Sequence, residues 1–161
     1  MFKIRLLTLS LISLIFLSCT KNNFNQNKTN YSIGYIGGEF DGLVLKTKLK
    51  NTLNNMGLYK SNSNFNIDAN ISHSSSLFIT NIDNTSDRKR LISRLNIKVT
   101  DKFKNCDIYI FEESISQFYI FADSNKYISN SSAEKKIKEQ NTEMLVKDFI
   151  NKIRSSENKC I

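Results

Sequence analysis

The chain of 161 residues contains no proline, no tryptophan, five glycines, three cysteines and a single histidine. These shortages narrow the chemistry it can perform. No glycine-rich phosphate loop, HExxH helix or CxxC pair is present, so the common phosphate-cradling, zinc-peptidase and dithiol motifs are excluded. The lone His73 sits among Ser72, Ser74, Ser75 and Ser76. Adjacency does not make a catalytic triad, which the fold must assemble, so His73 reads as a loop histidine. Glu112 and Glu113 are neighbours on an expected strand, where consecutive side chains point to opposite faces and cannot share a proton. No apolar run approaches the ~20 residues needed to cross a bilayer as a helix. The expectation is a protein that is not an enzyme and holds no cofactor or metal. Asn, Ser, Lys and Ile dominate what remains, which reads partly as a coding bias and discourages weight on any one Asn or Lys.

Hydrophobic residues make up 40% and charged residues 24%, a globular rather than disordered balance. The length suits one domain with one core. The net charge is +8, two less once the leader's Lys3 and Arg5 are set aside. A basic surface suggests anionic partners such as lipid phosphates or nucleic acid, and an export leader argues against nucleic acid.

That leader is the sharpest signal. Met1 to Arg5 form a basic start, residues 6–17 (LLTLSLISLIFL) an apolar core, and Thr20-Lys21-Asn22-Asn23 follow at once. The layout is that of a signal peptide over residues 1–18. The run ends Phe16-Leu17-Ser18-Cys19, which resembles the lipobox of bacterial lipoproteins. There the thiol takes a diacylglyceryl group, and cleavage before it frees an amine for a further acyl chain. At ~0.8 kcal/mol per buried CH₂, two or three chains anchor durably. Cys19 is therefore the expected lipidation site. Residues 19–30 read as a flexible polar tether, and Thr20 points to the outer membrane, facing the periplasm.

Residues 31–155 form the expected domain. YSIGYI (31–36) suggests a short strand ending at Gly37-Gly38. Asp41 is a candidate N-cap, and Leu45, Leu49, Leu53 and Met56 share one helical face up to Gly57, which predicts a helix over 42–56. The period then changes to two. Phe65, Ile67, Ala69 and Ile71 alternate with polar residues, and the strand breaks at Ser74-Ser75-Ser76 before restarting at 77–82. After a turn at 83–87, Leu91, Ser93, Leu95, Ile97 and Val99 define one face of a strand. A hairpin at 101–105 leads to a strand over 106–122, with a bulge near Glu113-Ser114. Asn130-Ser131-Ser132 supply N-caps for a helix over 132–155, and residues 156–161 are expected to fray. The order β-α-β-β-β-α implies an α+β two-layer sandwich, an antiparallel four-stranded sheet covered by two helices. The oxidising periplasm permits a bridge between Cys106 and Cys160, but nothing in the sequence sets its geometry, so two free thiols are the expectation.

The lipobox Cys, the short strand, the helix LVLKTKLKNTLNNM, the strand Phe65 to Ile71, the arginine-led RKRLISRLNIKVTD and the closing KYISNSSAEKKIKEQNTEMLVKDFINKI together resemble the lipopolysaccharide-assembly lipoprotein family, LptE, from about Tyr31 to Ile153. The resemblance implies an outer-membrane lipoprotein that plugs and assembles an LptD-like barrel and binds lipopolysaccharide on its way to the outer leaflet. Such a binder needs cations for phosphate. Arg88, Lys89, Arg90 and Arg94 cluster at the start of one strand, and an arginine fork can donate twice to one phosphate. Lys135, Lys136 and Lys138 open the last helix and could add charge. Singly, each of these reads as a solvated surface charge. The Tyr109/Phe111 face is a candidate barrel contact, or else it is buried under a helix. The alternatives are a free-standing periplasm-facing lipoprotein that binds another envelope ligand or protein, and a hydrolase using Ser or Glu.

Overall fold

The computed structural model describes residues 29–78, 88–120, 127–156 and 159–160. The signal peptide, Cys19, most of the tether, the turn at 83–87, and the expected strand ends 79–82 and 121–122 lie outside the described residues. Strand β1 (Tyr31–Gly37) leads to helix α1 (Glu39–Asn55). Strands β2 (Phe65–Phe78), β3 (Arg88–Asp101) and β4 (Cys106–Ile120) follow, and helix α2 (Tyr127–Ser155) closes the domain. The strands form one sheet in the order β1-β2-β3-β4. The fold class is the expected α+β sandwich, with one correction to the sheet. β1 pairs parallel to β2, so the sheet is mixed and not wholly antiparallel. The physical reason is the connection: α1 carries the chain back along the sheet, which is how two parallel neighbours are joined.

The core matches the periodicities. Leu45, Leu49 and Leu53 of α1, Ile67 and Ile71 of β2, Leu91, Leu95 and Val99 of β3, and Leu145, Phe149, Ile150 and Ile153 of α2 are all buried. α1 begins at Glu39, three residues before expectation. Gly38, with φ near 110°, takes the N-cap place, and Asp41 falls inside the first turn beside Glu39. Both carboxylates suit the positive end of the helix dipole. A Cβ on Gly38 would lie 2.5 Å from the Ile71 carbonyl oxygen, so both space and backbone demand glycine there. At the far end Gly57 has φ near 62°, and the Leu58 N–H bonds to the Leu53 carbonyl at 2.8 Å, a Schellman-type closure.

β2 runs without the expected interruption. Ser74, Ser75 and Ser76 pair with Ile92, Leu91 and Arg90. Ladder partners on β3 satisfy the backbone there, and that outweighs the weak strand preference of serine. The expected bulge at Glu113-Ser114 is also displaced. The ladder is regular there, and the register shifts between Val99 and Thr100, opposite Ile108. The extra residue turns Ile108 into the core. α2 starts at Tyr127, so Asn130, Ser131 and Ser132 lie inside it and not at its cap, with Asn130 buried. Packing on the sheet overrides local capping preference here. At ~1.5 Å per residue its 29 residues span about as far as the 14 or 15 residues of the long strands.

The expectation of two free thiols is corrected. Cys106 and Cys160 form a disulfide, with their Cα atoms 5.7 Å apart. α2 returns the tail to the start of β4, a closeness set by tertiary structure and not by sequence spacing. The helices are fastened to each other through Glu143 of α2, which accepts from Lys147 and from Lys48 of α1, both at 2.9 Å. These two partners hold its carboxyl down at about 2.

Because β1 stops opposite Asn70, the sheet has two unlike halves. In the proximal half, which holds the start of β1, the β3–β4 hairpin and the disulfide, four strands lie under two helices. In the distal half, β2, β3 and β4 continue alone under the N-terminal part of α2.

Candidate functional site

Alternation along β3 sorts its basic residues. Leu91, Ser93, Leu95, Ile97 and Val99 are buried under the helices, so Arg88, Arg90 and Arg94 stand on the opposite face of the sheet, which no described element covers. Lys89 falls on the helix side. Lys135 and Lys136 are exposed on α2 and belong to the helix layer. The six predicted residues thus divide. Three arginines share one surface, and the three lysines lie on the other side of the sheet.

Around the arginines the strand register gathers apolar side chains. Arg88 pairs with Phe78 of β2 and Ile120 of β4, and Arg90 pairs with Ser76 and Phe118. The Phe78 and Phe118 rings meet edge to face at 5.2 Å, reaching across the arginine strand. Arg90 donates from Nε to Ser116 Oγ at 2.7 Å, and its guanidinium carbon stands 6.0 Å from the Phe118 ring centre. Phe78, Phe118 and Ile120 remain 47%, 52% and 75% exposed, high values for such side chains on a strand. Arg94 lies two same-face steps in, beyond Ile92, between Ser72 and Ser114. The surface therefore combines planar cations, Arg90 held by hydroxyl and ring contacts, with wet aromatic and aliphatic groups. That combination suits an amphiphile with an anionic head and an apolar body.

Sequence reading located the arginines and missed Phe78, Phe118 and Ile120. Alternation of Phe118 and Ile120 with Gln117 and Tyr119 carried the signal, but only the register with β3 shows which side faces out. The Tyr109/Phe111 surface is resolved as a helix contact. Phe111 is buried and meets Phe149 edge to face at 5.6 Å, and Tyr109 lies 6.3 Å from the same ring. Glu112 and Glu113 do point apart. Glu113 pairs with Lys152 of α2 at 2.7 Å.

His73 is not a loop residue. It lies on β2 facing the helices, with its side chain 2% exposed. Asn141 Nδ2 of α2 donates to Ser93 Oγ at 2.9 Å, and the Ser93 hydroxyl lies 2.7 Å from His73 Nδ1. If the hydroxyl donates onward, the proton of a neutral imidazole sits on Nε2, which faces Asp41 Oδ2 at 3.9 Å. Burial pushes the imidazole below its ordinary value near 6.5. Asp41 and Glu134 oppose that and Lys138 adds to it. The order Asp41, His73, Ser93 has the look of a hydrolytic relay, but Ser93 is fully buried, so no substrate reaches its oxygen. His73, Ser93 and Asn141 instead form a polar layer across the interior, midway along the sheet. Distal to it, Tyr119 donates to Glu134 of α2 at 3.0 Å, and burial, aided by that carboxylate, raises the phenol to about 12.

No protein-family model matches the sequence, and no curated protein matches it. The fold does match solved structures. A rare lipoprotein B from Shewanella oneidensis superposes with a TM-score of 0.61 at 12% identity, covering 79% of this chain and 95% of that one. A lipoprotein B from Nitrosomonas europaea gives 0.59 at 11% identity, covering 78% and 81%. A minor lipoprotein from Acinetobacter baumannii gives 0.56 at 13% identity, covering 79% and 93%. At such identities the shared property is the fold.

Proposed function

We propose that this chain is an outer-membrane lipoprotein, lipidated at Cys19 and facing the periplasm, that serves as the LptE-like partner of an LptD-like barrel and binds lipopolysaccharide in transit. The observation that carries the reading is the distal open face. There Arg88, Arg90 and Arg94 stand among Phe78, Phe118 and Ile120 on a sheet surface that no described element covers. Lipopolysaccharide presents phosphates on an acylated disaccharide, and this surface offers a partner to each part. The arginines meet phosphate and the aromatic rim meets acyl chain. The work is binding and scaffolding. The lipid tethers, the sheet face docks, and the arginines touch phosphate transiently. Lys89, Lys135 and Lys136 contribute field and not contact. The likeness in fold to solved lipoproteins supports the lipoprotein part of the reading.

The test is a gentle detergent pull-down of the tagged, lipidated protein from outer membranes, followed by mass spectrometry. A stoichiometric, salt-resistant barrel is expected. Recovery of the protein alone, from membranes that contain such a barrel, would remove the barrel from the reading and leave a free-standing lipoprotein.

A further inference from the structure

The opposite pole carries a second set of features that the barrel reading does not use. Phe103 is the most exposed large hydrophobic residue described, at 87%. It stands at the tip of the β3–β4 hairpin, in the order Lys102-Phe103-Lys104, and the turn is fixed from within. The buried Asp101 accepts from the backbone N–H groups of Phe103 and Lys104 at 2.9 and 3.2 Å through one oxygen. This hairpin lies beside the place where the chain leaves for its leader. Lys102 donates its backbone N–H to the Asn64 carbonyl at 2.8 Å and its ammonium to Ser32 Oγ at 3.2 Å, while Ser63 donates to the Asn30 carbonyl. The chain exit and the 60–64 turn line a polar groove of about 470 Å³, with Thr29, Asn30, Lys60, Asn62 and Asn64 among its walls. The two turns at this pole, 60–64 and 102–105, hold three lysines and no acidic residue.

We infer that this pole is a membrane contact: Phe103 enters the interfacial layer of the bilayer that carries the anchor, and Lys60 and Lys104 meet the phosphates of its anionic phospholipids. An aromatic ring on a rigid tip between cations is the arrangement that headgroup depth favours. Position supplies the rest. Asn30 is eleven residues beyond Cys19, a stretch that reaches at most ~40 Å when fully extended. An anchored domain is held within that distance of the leaflet, so a contact too weak to bind from solution operates at high effective concentration. Each lysine against an anionic leaflet is worth roughly a fivefold change in partitioning. The inference rests on the lipid anchor of the proposed function and not on the barrel.

The absence of tryptophan makes the test direct, because Phe103→Trp places a single indole in the full lipidated chain. The protein is reconstituted into phosphatidylethanolamine–phosphatidylglycerol vesicles with and without brominated acyl chains. Flotation reads the anchor, and quenching reads the contact. The expected result is co-flotation, a blue-shifted indole and bromine quenching at position 103, weakened by Lys60→Glu with Lys104→Glu. Leu43→Trp, at an exposed position of α1 away from both poles, should remain unquenched. Flotation without quenching at 103, or equal quenching at 103 and 43, overturns the contact and leaves the anchor standing. Failure to float with the vesicles overturns both.

Discussion

At the level of Leu49 the sheet is four strands wide and lies under two helices. At the level of Arg90 it is three strands wide and lies under one. The proximal half buries Leu49, Leu53, Ile67, Phe111 and Phe149 and closes with a disulfide and the interhelical Lys48–Glu143 ion pair. The distal half leaves Leu77, Phe78, Phe118, Ile120 and Ile128 in water and sets Arg88 and Arg90 beside Phe78, Phe118 and Ile120. A domain of this size has limited core to spend. Here the packing is concentrated where it holds the fold, and one apolar patch is gathered beside the distal arginines, where an exposed patch signals binding.

The comparison breaks most sharply if side chains of similar size are truncated in each half. Leu49→Ala removes a fully buried residue and should cost about 2–5 kcal/mol in a denaturant titration. Phe118→Ala should stay within about 1 kcal/mol although the deleted side chain is larger. Equal losses would mean that the distal half is core after all. The disulfide sharpens the contrast next. Cys160→Ser opens a link across 54 residues and should cost about 2–4 kcal/mol. A reductant should lower the midpoint of the natural chain by the same amount and leave the variant unmoved. On the distal side the effect should appear in affinity and not in stability. Arg90→Ala is expected to weaken lipopolysaccharide binding about tenfold with an unchanged denaturation midpoint, and Arg90→Lys should fall between. An unchanged affinity in a titration with purified lipopolysaccharide would remove Arg90 from the site.

The smallest expected effect lies on the boundary between the halves. His73 has its folded-state value lowered from near 6.5, chiefly by burial. As pH falls through 6.5 the unfolded chain takes up the proton first, so stability declines from there until the folded imidazole itself titrates. Above 6.5 this contribution is complete and flat. His73→Gln, neutral in both states, should show less decline over that window when unfolding is followed against pH. An identical slope in the two proteins would mean that other groups set it.

Element order, helix faces and the inward residues of β2 and β3 were legible because each rests on a local period of two or of 3.6. Leu45, Leu49 and Leu53 needed no partner to declare themselves. The parallel pairing of β1 was implied by the β-α-β order, since a helical crossover joins parallel neighbours, but the seven-residue strand with its irregularity at Gly34 and Tyr35 carries no local sign of it. Ser74 to Ser76 misled because serine argues against a strand only when the backbone has no ladder to join. The arginines of the candidate site could be found by type. Their apolar companions could not, because Phe78 and Phe118 are 40 residues apart and meet only through β3. His73 looked like a loop residue for the same reason as the serines around it, and its partners Ser93 and Asn141 are residues that a sequence offers no ground to join. Cys106 and Cys160 could be named as a permitted pair, but nothing in the sequence brought them within bonding distance, which the return of α2 does.

The buried trio of His73, Ser93 and Asn141 has a consequence beyond titration. A 29-residue amphipathic helix on strands of matching length is a rod on a track, and its leucines and isoleucines would tolerate being slid by one turn of ~5.4 Å. The polar trio does not tolerate it. Any other setting would bring Asn141 against Leu91 or Leu95 and strand its amide together with the serine hydroxyl and the imidazole in an apolar interior. The trio thus acts as an index pin. It fixes where α2 stops along the sheet, and therefore how much of the distal strands' inner face the helix covers.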